Sequence, residues 1–261
     1  MIAPALLPEK YREWNAHWSA PRGTRFAQWK MSSRMRVLSA PLVGMFAFQE
    51  NNSTRAYEYP WAFFATPLER GMRALEIGGG LSGFQFVLSR YGIKVTNVDP
   101  GLKARGRGWP VGQRTFKALN VLFRTDVALK ACFVEEADLA AASLDRVYSI
   151  STFEHIPEQD LQSILKHAAA ALKPGGYLVA TVDLFLNVRP FASEEENEFG
   201  RNVSVKWIIE QSGLNMVQGT PAELFGFAEF DPERITRLRN IYFIGEYPAL
   251  VQAFVLRKDL Q

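Results

Sequence analysis

Between residues 70 and 183 the spacing of apolar positions switches repeatedly between the period of a strand and that of a helix. Residues 74–77 make a short apolar run broken by one acid, Glu76, and the run stops at Gly78, Gly79 and Gly80. Phe84, Val87, Leu88 and Tyr91 then recur at i, i+3, i+4 and i+7, which predicts an amphipathic helix that Gly92 can end. The run 94–100 alternates and stops at Asp99 and Pro100, as a half-buried strand does. Phe116, Leu119, Phe123 and Val127 predict a second helix, the apolar residues 131–134 a third strand, and residues 145–150 a fourth. Leu161, Ile164, Leu165, Ala168 and Leu172 form one helical stripe, which Lys173-Pro174-Gly175-Gly176 ends before a fifth strand over 177–182. Further along, 214–218 and 249–256 read as strands, and Asp231-Pro232 as an N-cap with proline at the first helical position.

The chemistry begins where the first strand meets its glycines. Gly78, Gly80 and Gly83 satisfy G-x-G-x-x-G at the entrance to a helix, a pattern that lets backbone approach a ligand and that NAD and FAD enzymes also use. Glu76 separates the cases. A pyrophosphate welcomes N–H groups at such a loop and is repelled by a carboxylate, whereas S-adenosylmethionine has no phosphate and carries an ammonium and a sulfonium.

With an E-x-G-x-G strand and loop, the chain resembles the class I S-adenosylmethionine-dependent methyltransferases. The resemblance implies a Rossmann-like α/β fold, a mostly parallel seven-stranded sheet with helices on both faces and an antiparallel C-terminal strand, and S-adenosylmethionine as cofactor. It places Glu76, Gly78, Gly79 and Gly80 at the methionine end, with Gly83 following; the family's third glycine usually comes one position earlier, where this chain has Ser82. Asp99, followed by Pro100, is the expected ribose acceptor. Asp138 is the expected acceptor from the adenine amino group, with Leu139 packing on the ring. The fourth strand runs into Ser151-Thr152-Phe153-Glu154-His155-Ile156-Pro157, whose Glu-His-Ile-Pro is frequent in the family; Ser151 and Thr152 are expected beside the reacting methyl.

Residues 1–69 are expected to form a helical lid, and residues 70–261 the catalytic domain with insertions at 184–202 and 219–248. The lid carries Trp14, Trp18, Trp29, Phe46, Tyr57, Tyr59 and Trp61, aromatic faces that attract cations such as a sulfonium. Tyr57, Tyr59 and His155 are the catalytic candidates, with Glu154 a further possible base. Helix packing for the tyrosines, and a hydrogen-bonded structural role for His155, are the competing readings.

Composition bounds the partners. A chain of 261 residues, 48% hydrophobic and 22% charged, can bury a full core in one elaborated domain. Cys132 is the single cysteine, which excludes an internal disulfide and leaves no zinc cluster, so a reducing cytoplasm is the expected compartment and no metal is expected. The start has no basic leader before its short apolar piece, and the apolar run 37–48 is broken by Pro41 and Gly44, too short for a membrane span. Net charge is only +3, although Lys103, Arg105, Arg107, Arg114, Lys117, Arg124 and Lys130 face Asp126 alone across 101–130. A solvated helix face explains that excess, and the absence of a basic tail or RNA-binding module argues against nucleic acid.

The leading functional reading is methyl transfer to a small-molecule acceptor, with RNA methylation a minority reading. Similar folds also support aminocarboxypropyl transfer or cyclisation of the methionyl chain, releasing methylthioadenosine, and a non-catalytic binding module is the third class. The sequence leaves open the acceptor, the atom methylated and the oligomeric state.

Overall fold

The computed structural model describes residues 1–21, 44–104, 108, 110–238 and 241–260. Most of the apolar run 37–48, Trp29, Arg105 and Arg107 lie outside the described residues. The strands are β1 (Arg73–Ile77), β2 (Lys94–Val98), β3 (Ala128–Lys130), β4 (Leu144–Ile150), β5 (Leu172–Phe185), β6 (Asn215–Gln218), β7 (Tyr242–Ile244) and β8 (Tyr247–Arg257). The α-helices are α1 (Glu9–Trp18), α2 (Arg55–Phe64), α3 (Gly83–Arg90), α4 (Gln113–Phe123), α5 (Glu158–Ala171), α6 (Val205–Ser212) and α7 (Pro232–Thr236).

One sheet joins the strands in the order β3-β2-β1-β4-β5-β8-β6, with β7 hairpinned onto β8. Pairs from β3 to β5 are parallel, and β8 runs antiparallel to β5, β6 and β7. The hairpin strand β7 brings the sheet to eight strands. The period of two sorts each strand's residues onto two faces. Ala74, Val95, Tyr148 and Val179 join a core with α2, α3 and α4, while Leu75, Val98, Val147 and Leu178 join one with α5 and α6. Both faces are covered, as a parallel sheet requires.

Two strands differ from the sequence expectation. β3 is short and lies earlier, because β2 pairs Thr96 with Ala128 and Val98 with Lys130 and the ladder ends there. The apolar run 131–134 therefore falls beyond the strand, in the turn leading to a 3₁₀ segment (Val134–Glu136). β5 starts at Leu172, and the Lys-Pro-Gly-Gly turn becomes an irregularity in its pairing with β4, with Gly175 at φ +76°. Asp231 does cap α7, its side chain accepting the Arg234 N–H at 3.1 Å. Among the described residues no helix is long and apolar enough to cross a membrane.

Residues before β1 share the first core. Phe46 is fully buried, packs against Trp14 and Tyr59, and occupies the space that a side chain at position 83 would need: a Cβ there would lie 2.5 Å from its ring. Phe46→Ala is therefore expected to cost about 3–5 kcal/mol and to lower the melting temperature by about 10 °C in one cooperative transition. A melt that splits in two, or stays at the wild-type midpoint, would show that this segment folds apart from the sheet.

Candidate active site

The strand order reverses between β2-β1 and β4-β5, and the carboxyl ends of such neighbours leave a crevice. A cavity of about 380 Å³ occupies it, within the roughly 300–1,000 Å³ typical of ligand sites. Its floor is the glycine loop after β1. Gly78 sits at φ +68°, and a Cβ there would lie 2.3 Å from Thr152 Cγ2, so glycine is required both for the turn and for the approach of β4.

The backbone N–H groups of this loop are all paired within the protein. Gly78 donates to Val98 O at 3.0 Å, Gly79 to Asn97 Oδ1 at 3.3 Å, and Gly80 to Asp99 Oδ2 at 2.8 Å. Leu81 donates to Gln49 Oε1 at 2.7 Å and Ser82 to Gly79 O at 2.9 Å. A loop whose donors are already paired is not an anion cradle. The loop instead surrounds a carboxylate.

Glu76 is 1% exposed; its Oε1 accepts from Ser82 Oγ at 2.9 Å, and its buried Oε2 has no partner among the described residues. Burial pushes this carboxyl from 4.5 up to about 8, with Asp99 adding to the shift and the Ser82 bond and Arg55 opposing it. Such an orphaned acceptor beside a cavity suits a ligand ammonium. Asp99, 4% exposed, accepts the N–H of Gly80 and that of Gly101 at 2.7 Å. Burial raises its carboxyl and those two bonds pull it back. Each of its oxygens retains a second lone pair.

The structure brings together at this cavity Tyr59, Glu76, Gly78, Gly79, Asp99, Pro100, Ser151, Thr152 and His155. Gly80 and Gly83 stand behind the lining and shape the loop and the start of α3. Tyr57 is not brought to the cavity. It is buried against Tyr11 and Trp61, because the helical period that turns Arg55 and Tyr59 to the cavity at i and i+4 turns Tyr57 away. Asp138 and Leu139 do not line it either. With β3 ending at Lys130, it is Phe133, Val134, Glu135 and Glu136 that reach the cavity, while Asp138 is exposed at φ +46°.

Tyr59 is held neutral, since burial raises its phenol and its hydroxyl donates to Asn51 Oδ1 at 2.9 Å. The Nδ1 of His155 donates to the carbonyl of Phe199, which in the neutral ring puts the lone pair on Nε2. Gln49, Asn52 and Arg55 line the cavity without having been singled out in the sequence. The i, i+4 spacing of Arg55 and Tyr59 is the signal that could have found the arginine and separated Tyr59 from Tyr57. Among the described residues no group of three or more His, Cys, Asp or Glu is placed to hold a metal ion.

Comparison with known proteins agrees with this geometry. The family model described as "Methyltransferase domain" matches residues 48–218, more than half of the chain. A search of curated proteins finds no match. Among solved structures, a putative methyltransferase from Bacillus halodurans C-125 superposes with TM-score 0.54 at 12% identity, covering 77% of this chain and 99% of that one. Phosphoethanolamine N-methyltransferase 2 of Haemonchus contortus, solved with phosphomonomethylethanolamine and S-adenosylhomocysteine, gives 0.56 at 16%, covering 90% of this chain and 60% of that one. The [4+2]-cyclase SpnF gives 0.55 at 12% identity, covering 100% and 99%. Identities this low establish a shared fold, and with the domain match they lead to one conclusion: the chain belongs to the methyltransferase domain family, the class I S-adenosylmethionine-dependent group that its strand-end motifs resemble.

Proposed function

We propose that this enzyme transfers a methyl group from S-adenosylmethionine to a small-molecule acceptor, both bound in the cavity at the carboxyl ends of β1, β2 and β4. The observation that carries the reading is the polarity of the glycine loop, whose N–H groups are all taken up by acceptors of the protein while the buried Glu76 carboxyl beside it keeps one oxygen unpaired. That arrangement rejects a pyrophosphate and favours a cation. When bound, S-adenosylmethionine supplies a methyl group activated by the positive sulfur that carries it.

The residues have the following roles in this proposal. Glu76 holds the ammonium at the methionine end, and Asp99 accepts the ribose hydroxyls with its remaining lone pairs. Phe133, Val134 and Ile156 wall the adenine, with Glu135 and Glu136 standing where an acceptor from its amino group is needed. Arg55, Tyr59, Ser151 and Thr152 surround the point of transfer and exclude water, and alignment there can supply roughly 7–11 kcal/mol of the barrier. His155 fastens Phe199 over the cavity through Nδ1. The single cysteine fits a reducing compartment, and we place the enzyme in the cytoplasm.

Two other chemistries remain: the aminocarboxypropyl transfer or methionyl-chain cyclisation that similar folds support, and a [4+2] cyclisation like that of the full-length neighbour, which would consume no cofactor. Mass analysis of the cofactor after turnover separates them: S-adenosylhomocysteine marks methyl transfer, methylthioadenosine marks aminocarboxypropyl transfer or cyclisation of the methionyl chain, and unconsumed S-adenosylmethionine marks a [4+2] cyclisation.

Calorimetry is expected to detect binding of S-adenosylhomocysteine and none of NAD. Asp99→Ala removes two charge-assisted bonds of about 1.5–3 kcal/mol each and is expected to weaken that binding at least tenfold. Unchanged affinity would refute the ribose assignment.

Glu76 links binding to protons. At pH 7 a carboxyl held at about 8 is mostly protonated; pairing with an ammonium ionises it, so binding of S-adenosylhomocysteine releases up to about one proton. Calorimetry in two buffers of different ionisation enthalpy measures this, and Glu76→Gln abolishes it. Without ligand, a carboxyl at about 8 folded and 4.5 unfolded binds more protons in the folded state. Its contribution to stability is therefore complete below 4.5 and is lost as pH rises through about 8. Glu76→Gln is expected to flatten that fall in melting temperature. An identical slope in the variant would place the charge elsewhere.

A further inference from the structure

A second polar cluster lies behind the cavity wall, outside the set of groups that hold the cofactor. Glu58, on α2, is completely buried. Its Oε1 accepts from Ser151 Oγ at 2.5 Å and from Thr181 Oγ1 at 2.6 Å, and its Oε2 is paired with Arg55 Nη1. The same nitrogen donates to Ser151 Oγ at 2.6 Å. Deeper still, the Asp183 N–H donates to Glu154 Oε1 at 3.0 Å, and both side chains are 1% exposed.

Asp183 Oδ1 and Glu154 Oε2 find no donor among the described residues. A proton on Asp183, which burial first and the neighbouring Glu154 second hold on it, lets its hydroxyl donate to Glu154 and satisfies both side chains. Burial, then the Glu154 and Glu58 carboxylates, hold Asp183 well above the usual carboxylate range, with Arg55 opposing them.

With that one proton in place, the cluster of Arg55, Glu58, Glu154 and Asp183 carries one negative charge more than it has positive. An isolated Arg55–Glu58 pair that took up a proton would leave a bare buried cation. Here a proton added to Glu58 brings the cluster to neutrality. Of its members and their hydroxyl partners, only Arg55 and Ser151 line the cavity, and a guanidinium has no lone pair to receive a proton. The way in is Ser151 Oγ.

We propose that Ser151 and Glu58 form a proton relay that receives the proton lost by the methyl acceptor, with the Asp183–Glu154 pair providing the surplus negative charge. The relay rests on the methyltransferase reading above. As the acceptor's X–H bond breaks, its proton passes to Ser151 Oγ while the hydroxyl proton passes to Glu58 Oε1. The X–H electron pair stays on X as the nucleophile, and Glu58 ends as a neutral acid. Ser151 is the catalytic residue; Glu58, Glu154 and Asp183 act through it as positioning residues.

Sinefungin provides the test, since it bears a protonated amine where the sulfonium methyl would be and S-adenosylhomocysteine bears neither charge nor methyl there. The ratio of the two dissociation constants, measured by calorimetry on the full chain, reports how well the site meets a proton donor at that point. Ser151→Ala and Glu58→Gln are each expected to reduce the preference for sinefungin about tenfold, the worth of one charge-assisted bond, with S-adenosylhomocysteine affinity held within about twofold. Glu154→Gln, which removes the surplus charge, lowers the preference, whereas Asp183→Asn, the isostere of a protonated acid, leaves it unchanged. Melting temperatures identify any variant that does not fold, and if Glu58→Gln is one, the Ser151 and Glu154 variants decide. An unchanged ratio in Ser151→Ala and Glu154→Gln overturns the relay, as does a loss on His155→Gln with the Ser151 variant intact. Failure of the wild-type chain to bind S-adenosylhomocysteine at all would instead overturn the methyltransferase reading.

Discussion

A carboxylate with no access to water needs donors from the protein, and Glu58 obtains them from three elements at once. Arg55 comes from its own helix, Ser151 from the end of β4, and Thr181 from within β5. Leaving any of them out would expose a desolvated charge to several kcal/mol of penalty, so α2 has one seat on the sheet. That seat turns Arg55 and Tyr59 to the cavity and buries Tyr57 and Trp61 in the core beside α1. The roof of the site is thus set by an electrostatic requirement that the aromatic packing around it then reinforces.

The same economy of donors governs the floor. Asn97, Asp99 and Gln49 take the N–H groups of Gly79, Gly80 and Leu81, and these bonds hold the glycine loop in its path while leaving the loop without donors to offer an anion. Glu76 is the counterpart, a buried acid with one oxygen satisfied by Ser82 and one left over. Two neighbouring strands therefore end in acids that are pushed toward their neutral forms by burial, and a cationic ligand with hydroxyl groups relieves both. In the proposed function, what the protein leaves unpaired at the cavity is what selects the ligand.

Much of this was legible in the chain. The switch of apolar period located α3, α5, β2 and β4 because burial on one face leaves a local record, and Glu76 before the glycines excluded a pyrophosphate for a reason that needs no coordinates. Asp99, Ser151 and Thr152 were found because strand ends point into the crevice of an open α/β sheet. The third strand was misplaced because 131–134 is the more apolar run, whereas hydrogen-bond register with β2 selected Ala128–Lys130. That shift moved the cavity lining from Asp138 and Leu139 to residues 133–136. Tyr57 and Tyr59 looked equivalent as aromatics; a helix separates residues two apart by more than half a turn.

Periodicity, turn residues and the chemistry of short motifs are local, and they determined the family, the order of elements and the strand ends that meet at the cavity. Glu58 illustrates what they do not reach. Its partners Ser151 and Thr181 lie 93 and 123 residues away in the chain, and nothing near it in sequence records whether its charge will face water or be enclosed. Only the packing of α2 across β4 and β5 decided that, because a buried charge is tolerated solely where distant donors converge, and convergence is a property of the folded sheet.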